Sequence, residues 1–502
     1  MAVFDAGVEV HGSKLTASLP AAYPGLPPRA PRCSPNSRTG SLSIDHQRLS
    51  FLPVPAAIRI ALNEIAKTTP PVTGHIMHPN MVFFAQTQHN PRDYQGERQE
   101  LKAPIDVTYA DKGHLHIGEP IADPRNAVSQ ILASNYYPER FYLRGVHNGT
   151  KPFIARTLKD GELDTSFNKT GLVYLTDLST VFDYHSFSHM AEDAEGHILL
   201  TMIDRTQGFT HLWKLKPNGK PDTDFGSNNG YIILNNFFNF KDITLYQFTT
   251  YKNDYIFSGS LENAPILFVL THEGVPRQSF GKLGILKMQD LIPDLRYVIG
   301  APKMLEVGEK VRIIIYTRYF NDSSSINGIA ALTLSGALDQ RFADNGVYWS
   351  KPGIIIYDFT LNNASQRITV HGQVWSEGTS TPMIYRLDYT GKPAKEFNEG
   401  RVVLFPIEGA WDYMTEADGK LVGYGSFLDR GMAVRYRLDG QLDTTFVPPN
   451  GYGVFTAIGS QPGFYGNSHS ATVMPESQRL LVAGREIQTG STPCVIAVSL
   501  KQ

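Results

Sequence analysis

A short phrase recurs along this chain and constrains its fold more than any other feature. The phrase reads G-x-x-D-x-x-F, then a second Gly after two to four further residues, then a β-branched or aromatic run. Its aromatic position falls at Tyr109, Phe167, Phe225, Phe280, Phe342, Phe397 and Phe446, with separations of 58, 58, 55, 62, 55 and 49 residues. A period of this length indicates a propeller or a repeat array.

Each repeat reads as four short strands, A to D, with the phrase between strands C and D. The strands are rich in Ile, Val, Tyr and Phe and are bounded by Gly, Asn and Asp, which is typical of an all-β chain. The first Gly of the phrase permits a positive φ. The Asp carboxylate can accept backbone N–H groups two or three residues on. The aromatic side chain is expected to be buried between neighbouring repeats.

The two ends of the chain complete each other. The last strand, 494–502, stops where the other repeats place the first Gly, and the first phrase, from Ile105, has no strand C before it. We therefore expect residues 494–500 to pair with residues 114–117 in one sheet, because this removes the open edges of a linear array. The prediction is an all-β, seven-bladed propeller closed by its N- and C-terminal strands, spanning 101–502.

These residues carry a family resemblance. The spacing of Gly, Asp, aromatic and Gly resembles the delta-60 repeat family of bacterial β-propeller-like proteins over about residues 103–502. Two repeats depart from the pattern, since Arg277 and Ala394 stand at the Asp position. The resemblance implies a propeller-like fold and no particular activity.

Residues 1–100 lie outside the repeat and form an N-terminal extension. Residues 20–38 contain six prolines and read as a linker. One short helix is predicted at 55–67, where apolar residues recur near helical spacing. This extension could cap the ring or act as a docking segment.

Composition excludes several classes of function. The chain has 46 basic and 48 acidic residues, so no basic excess favours nucleic acid. No run of 18 apolar residues predicts a membrane span, and no Sec-type signal is seen, which leaves the cytoplasm or non-classical export. Cys33 and Cys494 make neither a disulfide framework nor a metal quartet, although a bridge between the two is conceivable. Each phrase offers too few oxygen ligands for calcium, so we expect no bound metal. We also expect no cofactor, and we expect the protein to be a monomer.

A ligand site is expected where the B–C and D–A loops gather, because these loops differ among repeats while the phrase does not. The more prominent loops are 147–150, 321–328, 376–382 and 488–493. The candidate ligand-binding residues are His185, His189, Trp411 and His469. The imidazoles could converge at a channel mouth and Trp411 could form a stacking platform. Equally, they could be separate polar residues of a hydrated channel and an aromatic packed between blades.

The favoured function is a non-catalytic scaffold that binds a protein or a glycan. No nucleophile elbow, P-loop or dinucleotide fingerprint occurs in the sequence, and no catalytic residue is assigned. A hydrolase or lyase with a site at the channel mouth is the alternative, since propellers host both. A third possibility is an exported toxin or effector component that uses the N-terminal extension for delivery.

Overall fold

The computed structural model describes most of the repeat region. The described residues are 102–118, 126–148, 150–177, 187–204, 208–226, 229–239, 242–321, 324–376, 378–427, 430–455, 471–487 and 491–501, with three short strands nearer the N-terminus. The chain divides into two compact units, Met1–Met77 and His78–Gln502. No helix among these residues has the length and apolar character to cross a membrane.

The second unit is a seven-bladed β-propeller, as the repeat predicts. Each blade is a four-stranded antiparallel sheet with strand order A-B-C-D. Blade 1 contains Ala127–Ala133, Arg140–His147, Lys151–Leu158 and Leu172–Tyr174. Blade 2 contains Phe187–Glu192, Ile198–Asp204, Phe209–Leu215 and Tyr231–Ile233. Blade 3 contains Ile243–Tyr251, Asp254–Leu261, Ala264–Thr271 and Ile285–Lys287.

The other four blades have the same plan. Blade 4 contains Leu295–Val307, Lys310–Asn321, Ser324–Leu332 and Val347–Trp349. Blade 5 contains Ile354–Asn362, Arg367–Ser376, Thr379–Asp388 and Val403–Leu404. Blade 6 contains Ala410–Ala417, Lys420–Phe427, Arg430–Arg437 and Tyr452–Phe455. Blade 7 contains Ala471–Met474, Arg479–Ile487, Ser491–Ser499 and, from the N-terminal side, His114–His116.

The predicted ring closure is confirmed in blade 7. His116 pairs with Cys494, Leu115 with Val495 and His114 with Ile496 in an antiparallel register. The seam continues where the Ala103 N–H donates to the Val454 carbonyl of blade 6 at 2.8 Å. Residues from the two ends of the sequence therefore complete one sheet and leave no open blade edge at the seam.

The core of the described ring lies between the blades. Its buried apolar side chains form seven clusters, each shared by two neighbouring blades. All seven phrase aromatics are at most 3% exposed, as predicted. Each of six packs over the first Gly of the next blade; for example, a Cβ on Gly391 would lie 2.8 Å from the Phe342 ring. Gly391 also has φ +80°, so the position requires glycine for both its conformation and its missing side chain.

Helical structure in the described ring consists of single turns. Three of them follow strand D, at Leu175–Asp177, Leu234–Phe238 and Met288–Asp290. The phrase loops at Asn398–Gly400 and Val447–Gly451 are tight turns with non-helical backbone angles inside them.

The first unit contains a small antiparallel sheet. Val8–His11 pairs with Lys14–Ala17, which pairs with Ile44–Asp45. The sequence interpretation did not include these strands. The helix predicted at 55–67 lies outside the described residues.

Candidate functional site

The ring presents two faces of different construction. In an antiparallel meander, the A–B turns and the C–D phrases lie at one end of every blade, and the B–C hairpins and D–A crossovers lie at the other. We call these the turn face and the hairpin face. Direct contacts between the start of strand B and the phrase, such as Arg140 with Asp164 at 2.7 Å, place both at the turn face.

The turn face repeats one ion pair around most of the ring. The phrase Asp faces a basic side chain at the start of strand B in the same blade. The pairs are Asp106–Arg479, Asp164–Arg140, Asp339–Arg312 and Asp443–Lys420, at 2.6, 2.7, 2.7 and 3.2 Å, with a looser Asp222–His197 contact at 3.8 Å. The same carboxylates accept the backbone N–H two residues on in four copies, which confirms the predicted turn lock.

The two blades that lack the phrase Asp keep opposite charges together in other ways. In blade 3 the pair is reversed, with Arg277 in the phrase bonded to Asp254 at the start of strand B. In blade 5, where Ala394 stands in the phrase, Arg367 turns to Glu396 at 2.5 Å. A favourable electrostatic contact is thus retained in both blades although the residue types differ.

Arginines bonded to the phrase Asp also join neighbouring blades. Besides the strand B residues Arg312 and Arg479, these are two strand C residues, Arg156 bonded to Asp164 at 2.9 Å and Arg435 bonded to Asp443 at 2.8 Å. Each donates from Nη1 to a main-chain carbonyl of the next blade. These bonds are Arg156 to Pro217 at 2.7 Å, Arg312 to Tyr389 at 2.5 Å, Arg435 to Leu500 at 2.6 Å and Arg479 to Lys159 at 3.1 Å. The last two bonds connect blade 7 to blade 6 and to blade 1, so hydrogen bonds on the turn face also stabilise the closed ring at its seam.

The ion pairs keep the phrase carboxylates charged. Burial raises the pKa of Asp106, but hydrogen bonds from Arg479 and Thr108 outweigh it and hold the pKa at about 2. For Asp164 the same opposition, with bonds from Ser166 and Arg140, also gives a pKa of about 2. The phrase carboxylates are thus already bonded to side chains of the ring, and few of their oxygen atoms are available to bind a ligand.

The described part of the hairpin face is uneven, and its longest B strands belong to blades 4 and 5. The length of strand B can be counted from the charged residue that faces the phrase to the last residue before the B–C turn. By this count strand B has ten residues in blade 4 (312–321) and in blade 5 (Arg367–Ser376). It has eight in blade 3 (Asp254–Leu261) and in blade 6 (Lys420–Phe427). Two more residues lengthen a strand by about 7 Å, so two adjacent hairpins project beyond the blades on either side.

On blade 4 an aromatic pair lies just below the two extra residues. Trp349, at the end of strand D, pairs across the sheet with Gly328, and a Cβ on Gly328 would lie 2.7 Å from the indole, so the ring lies directly against the Gly328 backbone. The Tyr319 ring meets Trp349 edge-on at 6.3 Å. Because side chains alternate along a strand, Tyr319 points to the same side as Ile315, which packs against blade 3. Blade 3 has the shorter hairpin, and Trp349 remains 37% exposed.

On blade 5 a single tryptophan, Trp375, is exposed on the opposite side of the hairpin pair. Val374 packs toward blade 4, so Trp375, the next residue, points to the side of blade 6. The blade 6 hairpin is the shorter one, and Trp375 is 52% exposed. The two tryptophans therefore flank the projecting hairpins from opposite sides. We call Tyr319, Trp349 and Trp375 the hairpin aromatics.

Two of the four residues singled out from the sequence are described, and both lie away from the hairpin aromatics. His189 is on strand A of blade 2, buried, with its ring edge-on to Phe248 at 5.1 Å. Trp411 is on strand A of blade 6, fully buried, and edge-on to Phe405 at 5.0 Å. The structure does not bring these two together, and His185 and His469 lie outside the described residues. The hairpin aromatics were missed, although two of the loops chosen from the sequence, 321–328 and 376–382, adjoin them.

The inner strands of blades 4 and 5 hold a titratable group of a different kind. Lys303 Nζ bonds Asp358 Oδ2 at 2.7 Å, and Asp358 pairs across the sheet with His371. Burial lowers the pKa of His371 to about 4, although Asp358 opposes this, so the imidazole is neutral at pH 7. On blade 6, burial raises the pKa of Asp412 to about 7.

An open cavity of about 490 Å³ lies on the turn face between blades 4 and 5. Its lining residues are Val307, Glu309, Lys310, Arg312, Arg341, Tyr389 and Thr390. Arg312 and Arg341 both bond Asp339, at 2.7 and 2.9 Å, so two of its three basic groups share one carboxylate and are already ion-paired.

Comparison with known proteins agrees with the architecture. Residues 416–446 match a family described as "Domain of unknown function (DUF5122) beta-propeller", and no curated protein sequence matches the chain. Among solved structures, Drosophila Semaphorin 2a has a TM-score of 0.46 at 9% identity, covering 80% of this chain and 76% of that one. Polysaccharide lyase Uly1 has a TM-score of 0.42 at 10% identity, covering 80% and 98%. The Dos1 propeller has 0.38 at 10%, covering 76% and 83%.

Proposed function

We propose that this chain is a non-catalytic binding module that recognises a protein or a glycan through the hairpin face of blades 4 and 5. The observation that carries the proposal is the exposure of Trp375 on the projecting hairpin of blade 5 and of Trp349 on strand D of blade 4, beneath the adjacent projecting hairpin. The chain's other two tryptophans, Trp213 and Trp411, are at most 4% exposed. Large aromatic side chains left in water at a raised position are typical of recognition surfaces.

The surroundings of the aromatics suit a ligand that has both apolar faces and hydrogen-bonding groups. Contact with the Gly328 backbone restricts the Trp349 ring, so little side-chain entropy is lost when a ligand stacks on it. On the other side of the same hairpin, facing blade 5, Arg318 bonds Asn327 and the Tyr316 hydroxyl, and the half-exposed Tyr297 pairs with it. A sugar ring offers such a combination, and so does a protein surface with an aromatic or proline anchor.

The test couples discovery of a ligand to matched variants. The full chain is applied to a glycan array and used as bait in a pull-down, and each ligand found is titrated against Trp349→Ala and Trp375→Ala. Tyr136→Ala and Tyr389→Ala are the controls, because these residues have comparable exposure, 48% and 37%, and Tyr389 lines the turn-face cavity. We expect at least one tryptophan variant to weaken binding tenfold or more and both controls to bind like the parent.

A different outcome would move the site. Loss of binding in Tyr389→Ala alone would transfer it to the turn face. Unchanged binding in both tryptophan variants would contradict the proposal and return attention to His185, His189, Trp411 and His469, whose alanine variants then become the next test.

A hydrolase or lyase acting at the inner strands is the second candidate, and it rests on the Lys303–Asp358–His371 group. A neutral imidazole beside an ion-paired carboxylate is a combination used in proton transfer. Turnover of a ligand identified on the array, lost in Asp358→Asn and retained in Trp375→Ala, would support this function over simple binding.

A further inference from the structure

The closing sheet of blade 7 brings together three side chains of a kind that bind transition metals. His114 and His116 are on strand D and Cys494 is on strand C, and the ligating atoms of all three lie within 4.8 Å of one another. We propose that these residues form a binding site for a thiophilic divalent transition metal ion, Zn²⁺ in the first instance, at the seam of the ring.

The β-sheet itself produces the cluster. Cys494 is directly opposite His116 in the antiparallel register, and His114, two residues along, faces the same side of the sheet. Cys494 and its neighbour Ile496 belong to the cluster shared with blade 6, so the three side chains face the groove between blades 6 and 7. The register that closes the ring thus fixes the positions of the ligands before any metal binds.

The donor set and its burial fit a three-residue zinc site. Thiolate and imidazole are the preferred zinc ligands, with Zn–S about 2.3 Å and Zn–N about 2.0–2.1 Å, which sets ligand atoms roughly 3.5 Å apart. The two imidazole rings are stacked at 6.0 Å and lie on the water side, His116 exposed and His114 half-buried, while Cys494 is fully buried. Modest rotation of the exposed rings closes the remaining distance, and water supplies the fourth ligand.

Such a site would act on ring closure. The histidines belong to the N-terminal side of the repeat region and the cysteine to the last strand, so one ion would crosslink strands from opposite ends of the chain. A ligand that binds only the closed ring stabilises it by mass action. Strands C and D of blade 7 are held by three paired residues, and the ion would add a link between the side chains of the same two strands.

The test uses the full chain with Cys33→Ser in every protein, so that any thiolate signal comes from Cys494. Protein freed of metal with a chelator is titrated with Co²⁺ and then with Zn²⁺. We expect one equivalent of Co²⁺ to give a thiolate-to-cobalt charge-transfer absorption that Zn²⁺ abolishes. Zn²⁺ should also raise the Tm.

Three variants give the result its meaning. Cys494→Ala should remove the charge-transfer absorption, and His116→Gln should weaken Zn²⁺ binding tenfold or more and remove the Tm shift. His116 is exposed, so circular dichroism of His116→Gln should match the parent, and the loss then reports a ligand rather than misfolding. His272→Gln, at another exposed histidine of the ring, should change nothing. No saturable binding by the parent, or equal affinity in parent and His116→Gln, would overturn the proposal.

Discussion

The turn face and the hairpin face are built from the same four-stranded unit, and they differ in what their polar and aromatic residues contact. On the turn face, the phrase aromatics pack on the next blade's glycine, and Arg side chains bond carbonyls across the blade boundary. On the hairpin face of blades 4 and 5, Trp349 and Trp375 remain exposed, and Trp375 lies on the residues by which the blade 5 hairpin exceeds that of blade 6. A repeat can therefore assign assembly to one end of the sheet and leave the other end free to vary.

This division follows from which end of the blade each contact can reach. The phrase sits beside the next phrase around the ring, so a substitution there is felt by two blades. A B–C hairpin that is two residues longer extends away from its neighbours and disturbs none of them. Variation in length is thus tolerated at the hairpin face and disfavoured at the turn face.

The largest expected effect comes from breaking the seam. Deleting residues 494–502 removes six of the nine residues of strand C of blade 7, together with the Leu500 carbonyl that accepts from Arg435. We expect thermal unfolding followed by circular dichroism to become broad and to lose its cooperativity. Deleting only 501–502 is the control and should leave the transition as in the parent; a 494–502 deletion that also melts like the parent would contradict closure by the two termini.

The next effect tests the turn face through one phrase aromatic. Phe342→Ala should lower the free energy of unfolding by roughly 3–5 kcal/mol, because it opens a cavity between blades 4 and 5. Urea unfolding measures this, with Phe342→Leu as a milder comparison. If the alanine variant lost less than about 1 kcal/mol, the aromatic would not be part of the inter-blade core.

The ion pairs of the turn face should respond to acid. Asp164→Asn removes the carboxylate bonded by buried Arg156, and breaking such a pair costs roughly 3 kcal/mol at pH 7. Since the folded pKa of Asp164 is about 2 and the ordinary value 3.8, its contribution is complete above pH 4 and is lost as the pH falls towards 2. The stability gap between parent and variant should therefore narrow over that range in denaturation series.

The control for this pH dependence is Asp224→Asn, at a carboxylate that is 88% exposed in a neighbouring phrase. The free energy of unfolding of Asp224→Asn should equal that of the parent at every pH. A gap for Asp164→Asn that stayed constant between pH 7 and pH 2.5 would show that the side chain acts through shape rather than charge.

The reversed pair of blade 3 offers a smaller and more specific effect. Arg277→Asp or Asp254→Arg places like charges together, and each should destabilise the partly exposed site by about 1 kcal/mol. The double variant restores opposite charges in the order used by blade 1 and should recover most of that loss in a double-mutant cycle. Additive losses would mean that the pair makes no net contribution.

The sequence was informative where one residue type has one physical role. Gly391 must have positive φ and carry no side chain, and Phe342 must be buried, so the period and the blade count followed from these positions. The basic partner at the start of strand B was missed because its role depends on register: Arg140 and Asp164 are 24 residues apart and meet only when the strands pair. The reversed pair in blade 3 was hidden for the same reason.

The candidate site was harder to predict because exposure depends on the neighbouring blade. Trp411 and Trp375 both lie on apolar strands, yet one is fully buried and the other half exposed. Trp411 is on inner strand A, in the core between blades 5 and 6, whereas Trp375 lies beyond the end of the shorter blade 6 hairpin, a difference that is visible only when blades are compared in register. His114, His116 and Cys494 show the same limit, since their proximity exists only after the ring has closed.

The smallest expected effect comes from an exposed tryptophan of the hairpin face, and it is best measured beside a buried tryptophan of the core. Trp375→Ala should change the free energy of unfolding by no more than about 0.5 kcal/mol, because the side chain is exposed on a projecting hairpin. Trp411→Ala, the same substitution in the core between blades 5 and 6, should cost roughly 3–5 kcal/mol. Urea unfolding of the two variants side by side measures both. Equal losses would mean that Trp375 supports packing as Trp411 does, and the hairpin face could then no longer be regarded as free for recognition.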